Sequence, residues 1–159
     1  MRLLFDTHHN YGLTILRVVL GVVFLAHGSQ KMLGWFGGAG FSGTMGFFES
    51  QGIPAVFAFL AIAAEFFGGL GLILGLLGRI AAFGILCNMV VAIATVHAKN
   101  GLFMNWAGQQ KGEGFEYHLL VIAMAVAIIW QGSGALSVDE LLSRFTPRVK
   151  TAESPGRVL

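Results

Sequence analysis

At 159 residues the chain has the length of one domain. Hydrophobic residues make up 55% of it and charged residues only 11%, and the mean hydropathy is +0.74, which excludes an ordinary soluble protein and implies an integral membrane one. A formal charge of +2 with no massed basic patch excludes nucleic acid as a partner. The single cysteine, Cys87, excludes an intrachain disulfide, a CxxC redox pair, a CxxCH haem attachment and a cysteine-ligated iron–sulfur centre.

The first ten residues are short and polar. Ala26-His27-Gly28 weakly imitates a signal-peptidase site, but Arg17 interrupts the apolar run before it, so an uncleaved helix over 11–31 is expected. Arg17, Gly21, Phe24, Gly28 and Lys31 fall on one side of this helix, with His27 beside them. Arg17 lies within two turns of the amino end and has two readings: it snorkels back to the interface, with a carbonyl or lipid phosphate as partner, or it reaches the interior and pairs with Glu65.

Residues 32–53 are rich in glycine and aromatics. Trp and Phe suit the membrane–water boundary, and no GxxxxGK[ST] pattern accompanies the glycines, so phosphate binding is excluded. The stretch reads as a lid or interfacial segment across the bundle mouth, with a short helix over about 44–51. Residues 54–78 then form the second apolar helix, in which Glu65 is the one ionisable side chain. Ala58, Ala61, Glu65, Gly68, Leu72 and Gly75 recur at helical spacing. Small residues let helices approach closely, so this stripe is expected to face the bundle and not lipid. A carboxylate there is either a functional group or protonated structural glue.

Gly78-Arg79 reads as a tight hairpin before a third helix over 80–98. Asn88 lies near the centre of that helix as an interhelical tie, and Cys87 reads as inert packing. Residues 99–115 form a second aromatic and glycine-bearing connection, and a fourth, short helix follows over 116–132. Ser137 and Glu140 have the spacing of a capping box, which opens a small amphipathic helix within a final segment, 135–159.

The fold class is therefore all-α: a four-transmembrane-helix bundle with two long extracytoplasmic connections. Arg2, Arg79, Arg144, Arg148, Lys150 and Arg157 fall on one side, against Lys31, Lys99 and Lys111 on the other, which places both termini in the cytoplasm.

That topology gathers His27, Lys31, His97, Glu116 and His118 at the outer ends of three helices, above the intramembrane polar residues Arg17, Glu65 and Asn88. One reading is ordinary interfacial placement. Another is a site for a polar head group such as a quinone, with imidazole and carboxylate exchanging protons at its carbonyls. A metal or bis-histidine haem fits poorly. His97 and Asn88 stand nine positions apart, on opposite faces of an ideal helix, and Glu116 and His118 diverge. The expectation is no metal and no haem.

Several segments in order resemble the DoxX family of small bacterial and archaeal membrane proteins. They are Leu16-Arg17, His27-Gly28, Lys31, Gly34-Trp35-Phe36-Gly37-Gly38, Gly52-Ile53-Pro54, Glu65-Phe66-Phe67-Gly68-Gly69, Gly78-Arg79, Val96-His97 and Tyr117-His118. The resemblance covers about residues 11–142. It implies a four-helix membrane fold in the cytoplasmic membrane and an association with quinone-linked or oxidative-stress redox systems. Quinone is then the implied cofactor. The implied partners are membrane lipid and either a redox protein or a second copy of the chain. Two other readings stand beside it: a non-catalytic anchor or assembly factor for a redox enzyme, and a small transporter or proton pathway. No pair of broken helices supports the last.

Overall fold

A computed structural model describes residue 5 and residues 7–145, and every regular element among them is helical. Helix α1 spans Tyr11–Leu33. Asn10 opens it, its side-chain oxygen accepting from the Leu13 amide at 3.2 Å, and Gly34 closes it in the left-handed region. After a 3₁₀ turn over Trp35–Gly37, α2 spans Gly40–Ser50. Helix α3 spans Ala55–Leu74 and α4 spans Gly78–Ala92. Helix α4 runs on through a π turn over Ile93–His97 and a 3₁₀ turn over Ala98–Asn100. Helix α5 spans Glu116–Gln131 and α6 spans Val138–Phe145.

Among the described residues, three stretches are long and apolar enough to cross a membrane: Tyr11–Leu33, Ala55–Leu74 and Gly78–Asn100. The fourth apolar helix, α5, has 16 residues. At about 1.5 Å per residue it is shorter than the ~30 Å hydrocarbon layer. Around the bundle the helices follow the order α1, α3, α4, α5, and α5 touches α1 again more sparsely. Leu20, Phe24, Leu72, Ile85, Val121, Ala125 and Ile128 fill the core between them.

Helix α2 packs against α1 and α3, with the Thr44 hydroxyl donating to the Lys31 carbonyl at 3.4 Å. It begins at Gly40, earlier than the 44–51 expected from sequence.

The small-residue face of α3 is buried as its spacing predicts, with Ala58, Glu65, Gly68 and Leu72 inside. Its tightest contact is with α1. A Cβ at Gly28 would come within 2.7 Å of the Glu65 carbonyl carbon, and one at Gly21 within 2.8 Å of the Gly69 carbonyl oxygen. These are backbone atoms that cannot rotate away. Gly28→Ala is therefore expected to pry α1 from α3 and cost about 1–3 kcal/mol, the usual scale of overpacking. Thermal unfolding in detergent checks this, and an unchanged melting temperature would show that the two helices are not held at this distance.

The end of the bundle bearing the α3–α4 turn departs from expectation. Helix α3 stops at Leu74 because Gly75 adopts φ 66°, and the turn is made by Gly75, Leu76 and Leu77, with Gly78 and Arg79 already inside α4. Leu77 takes a left-handed φ of 51°, unfavourable for a branched side chain. What holds it is Asp139 of α6, whose carboxylate accepts from the Leu77 amide at 2.8 Å and the Gly78 amide at 2.9 Å. A residue some sixty positions away thus caps α4, a role no local pattern announces.

Arg17 is 1% exposed and neither snorkels nor meets Glu65. Its Nε donates to the Ser133 carbonyl at 2.7 Å, its Nη1 to the carbonyls of Leu72 and Ile73, and its Nη2 to that of Leu136 at 3.1 Å. The Leu72 and Ile73 carbonyls belong to the last turn of α3, where a cation is favoured, and Leu72 also accepts from the Gly75 amide at 3.2 Å. Gly75 leaves the room: a Cβ on it would lie 2.9 Å from the guanidinium carbon. Ser133 completes the link, its hydroxyl donating to Asp139 at 2.6 Å. Ser137 caps α6 as predicted, accepting from the Glu140 amide at 3.1 Å, while Glu140 returns to the Leu136 amide at 3.2 Å. Arg2, Arg148, Lys150 and Arg157, which entered the orientation count, and the tail beyond Phe145 lie outside the described residues.

Candidate functional site

The opposite end carries both long connections and most of the candidate residues. Lys31, near the end of α1, forms an ion pair with Glu65 of α3. The Glu65 side chain is 8% exposed and that of Lys31 30%, so the carboxylate is inside and the ammonium reaches toward the exterior. Glu65 therefore faces the bundle, and its cation is Lys31 in place of Arg17.

His97 and His118 are brought together, with ring centroids 4.1 Å apart and planes tilted by 44°. An ideal helix would turn His97 away from the interior. The π turn over Ile93–His97 changes this, because a wider turn advances each residue by less than the ~100° of an α-helix. His97 is fixed further by a 2.8 Å contact from Nδ1 to the Glu113 carbonyl. A carbonyl only accepts, so that nitrogen carries a proton, and in the neutral ring Nε2 is left as an acceptor.

His118 is 6% exposed, and its Nδ1 is buried without a hydrogen-bond partner. The neighbouring Tyr117 hydroxyl is likewise buried and unpartnered. Both residues belong to the buried side of α5, three and four positions before the core residue Val121. Glu65 lies within electrostatic range of Tyr117, and the Tyr117 and His118 rings meet edge to face at 5.6 Å. Most buried polar atoms find a partner, so two orphans on consecutive residues stand out among the described residues.

The remaining candidates go elsewhere. Glu116 turns to the second connection, its Oε1 accepting from the Met104 amide at 3.0 Å and from the Trp106 indole at 3.1 Å. Asn88 donates to the Ala61 carbonyl at 2.9 Å and ties α4 to α3. His27 lies in helical register with Leu20, Phe24 and Lys31 but is exposed, and it makes no ring contact with the histidine pair. Tyr117 was not singled out from the sequence as a site residue and appeared only beside His118 among the segments that resemble the family. Its signal was the adjacency to His118. Among the described residues no three of His, Cys, Asp and Glu converge as a metal would need.

A family model described as DoxX matches residues 12–98. The chain belongs to the DoxX family. It is 32% identical over 128 residues to "Putative oxidoreductase CatD" of Bacillus subtilis, covering 80% of this chain and 84% of that one. It is 26% identical over 133 residues to the inner membrane protein YqjF of Escherichia coli, covering 84% and 93%. It is 31% identical over 137 residues to the uncharacterized membrane protein Rv3486 of Mycobacterium tuberculosis, covering 81% and 80%. No solved structure matches the chain. The matched region contains Arg17, Lys31, Glu65, Asn88 and His97, so this DoxX protein carries its ion pair inside the family segment, while Tyr117 and His118 come from the helix beyond it.

Proposed function

We propose that this DoxX protein is the membrane subunit of a quinone-linked oxidoreductase of the cytoplasmic membrane, and that it receives a quinone head group at the Tyr117–His118 site. The supporting observation is the pair of buried, unpartnered polar atoms, Tyr117 Oη and His118 Nδ1, next to the Lys31–Glu65 ion pair. The oxidoreductase name of the B. subtilis relative and the inner-membrane name of the E. coli relative agree with it. In this reading α5 is the fourth crossing, both long connections are extracytoplasmic, and a partner enzyme supplies the electrons.

A quinone has two carbonyl acceptors, and the residues present fit them. The Tyr117 hydroxyl would donate to one oxygen, and the His118 imidazole would donate or accept as its tautomer requires. When bound, the quinone supplies two-electron chemistry that is coupled to protons. The chain's part is to orient the ring, to exclude water through the apolar walls of α1 and α5, and to hold protons. Glu65 and Lys31 keep a charged pair beside the Tyr117 hydroxyl, and Lys31 links it to the exterior.

Purified protein is expected to bind a short-chain quinone. Tyr117→Phe and His118→Ala are each expected to weaken binding about fivefold, the equivalent of one hydrogen bond of ~1 kcal/mol. His27→Ala is expected to change it little. Binding unaltered in both Tyr117→Phe and His118→Ala discards the site. The anchor reading is favoured by one observation, that Arg17 and Asn88 are both consumed by interhelical bonds. It predicts a redox partner in gentle-detergent pull-downs whose activity survives His118→Ala.

A further inference from the structure

Helix α6 is amphipathic in the opposite sense to a helix packed on a soluble protein. Its polar Asp139 is 1% exposed and points into the bundle, where it caps α4 and meets Ser133. Its apolar positions point away. Leu141 is 52% exposed and Phe145 78%, and they lie four positions apart on one face. Leu136, just before the helix, holds a left-handed φ of 51° and is 73% exposed, so the strained backbone turns another large apolar side chain outward. Trp130, at the end of α5, is 80% exposed at the same end of the molecule.

We infer that α6 is an interfacial foot, lying in the head-group layer of the leaflet at the α3–α4 turn end, with Leu136, Leu141 and Phe145 in the acyl boundary. Three observations choose lipid over a protein partner. The exposed apolar residues lie at the same end of the molecule as Trp130, which closes the apolar helix α5 and is of a residue type that settles at the membrane–water boundary. The polar flank presents His9 and Arg144, bonded to Glu140 at 2.9 Å and 3.2 Å and both exposed, so a cation stands beside the apolar residues, the pairing that an anionic head-group layer receives. The sequence just beyond is basic, with Arg148 and Lys150 following Arg144, and suits head-group phosphates.

The foot also has a structural consequence. Asp139 rides on α6 and caps α4, so lipid that seats α6 also holds the α3–α4 turn. This inference is independent of the quinone site.

The test is collision EPR on the full chain in liposomes, with nitroxides attached singly through Phe145→Cys, Leu141→Cys and Arg144→Cys in a Cys87→Ser background. Labels at 141 and 145 are expected to collide more with oxygen, which concentrates in the bilayer, than with a water-soluble nickel chelate. The label at 144 is expected to show the reverse. Labels at 141 and 145 as open to nickel as the one at 144 would place the helix in water and overturn the foot. Labels shielded from both reagents would mean that a protein surface covers the face, which overturns it equally. The 141 label alone decides if Phe145→Cys fails to fold.

Discussion

Arg17→Ala is expected to lower stability by about 3–5 kcal/mol, the scale for removing one member of a buried charge network. The side chain is a fork whose three nitrogens serve carbonyls from two separate segments: the end of α3 at Leu72 and Ile73, and the α5–α6 linker at Ser133 and Leu136. Its loss strands those acceptors in a dry place and leaves the carboxylate of Asp139 without its neighbouring cation. Arg17→Lys keeps the charge, yet a compact ammonium cannot span the same set of carbonyls, so it is expected to recover only a small part of the loss. Thermal unfolding in detergent, followed by tryptophan fluorescence, measures both. An alanine variant that melts with the native chain would mean the guanidinium is not closing this end of the bundle.

The second large effect is expected at the other end. Lys31→Met leaves the Glu65 carboxylate charged and unpaired in apolar surroundings. Breaking a fully buried pair costs about 3–5 kcal/mol, but Lys31 is partly exposed, so a discounted loss of about 1–3 kcal/mol is expected. Glu65→Gln is expected to cost less, since an amide needs no counter-charge. The double variant, Lys31→Met with Glu65→Gln, is expected to be more stable than Lys31→Met alone, because the stranded charge is gone. A double variant whose losses merely add would show that the two side chains do not interact.

The two ends of the bundle therefore differ in kind. At the turn end, Arg17, Ser133 and Asp139 form a saturated network of charge-assisted hydrogen bonds, which makes it a closed, load-carrying joint. At the loop end, polar atoms of Tyr117 and His118 are left over. Unspent hydrogen-bonding capacity is what a guest could use, which is why the proposed site lies at the second end and the expected stability effect of Arg17 at the first.

The long apolar runs, the glycine and alanine face of α3 and the inward direction of Glu65 were all legible in the chain itself. Each depends on near-neighbour spacing, and the period of a helix converts spacing into a face. The Ser137 cap of α6 was legible for the same reason. The partners were not. Arg17 was offered Glu65, or the interface with a carbonyl or lipid phosphate there, and it took backbone carbonyls of two distant segments inside the bundle, because a sequence shows where polar side chains are and not which segments they will meet. His97 was read against an ideal helix, on the face opposite Asn88, and the π turn over Ile93–His97 is a departure from that helix which leaves its ring against His118.

What the amino-acid order determined by itself is that this DoxX chain is a helical membrane protein with a carboxylate facing its own interior. Which cation meets that carboxylate, which acid caps α4 and which two polar atoms go unpaired were decided only when distant segments were packed together. Hydrogen bonds and ion pairs act over a few ångströms in space, and residues sixty or a hundred positions apart come within that range only in the folded bundle.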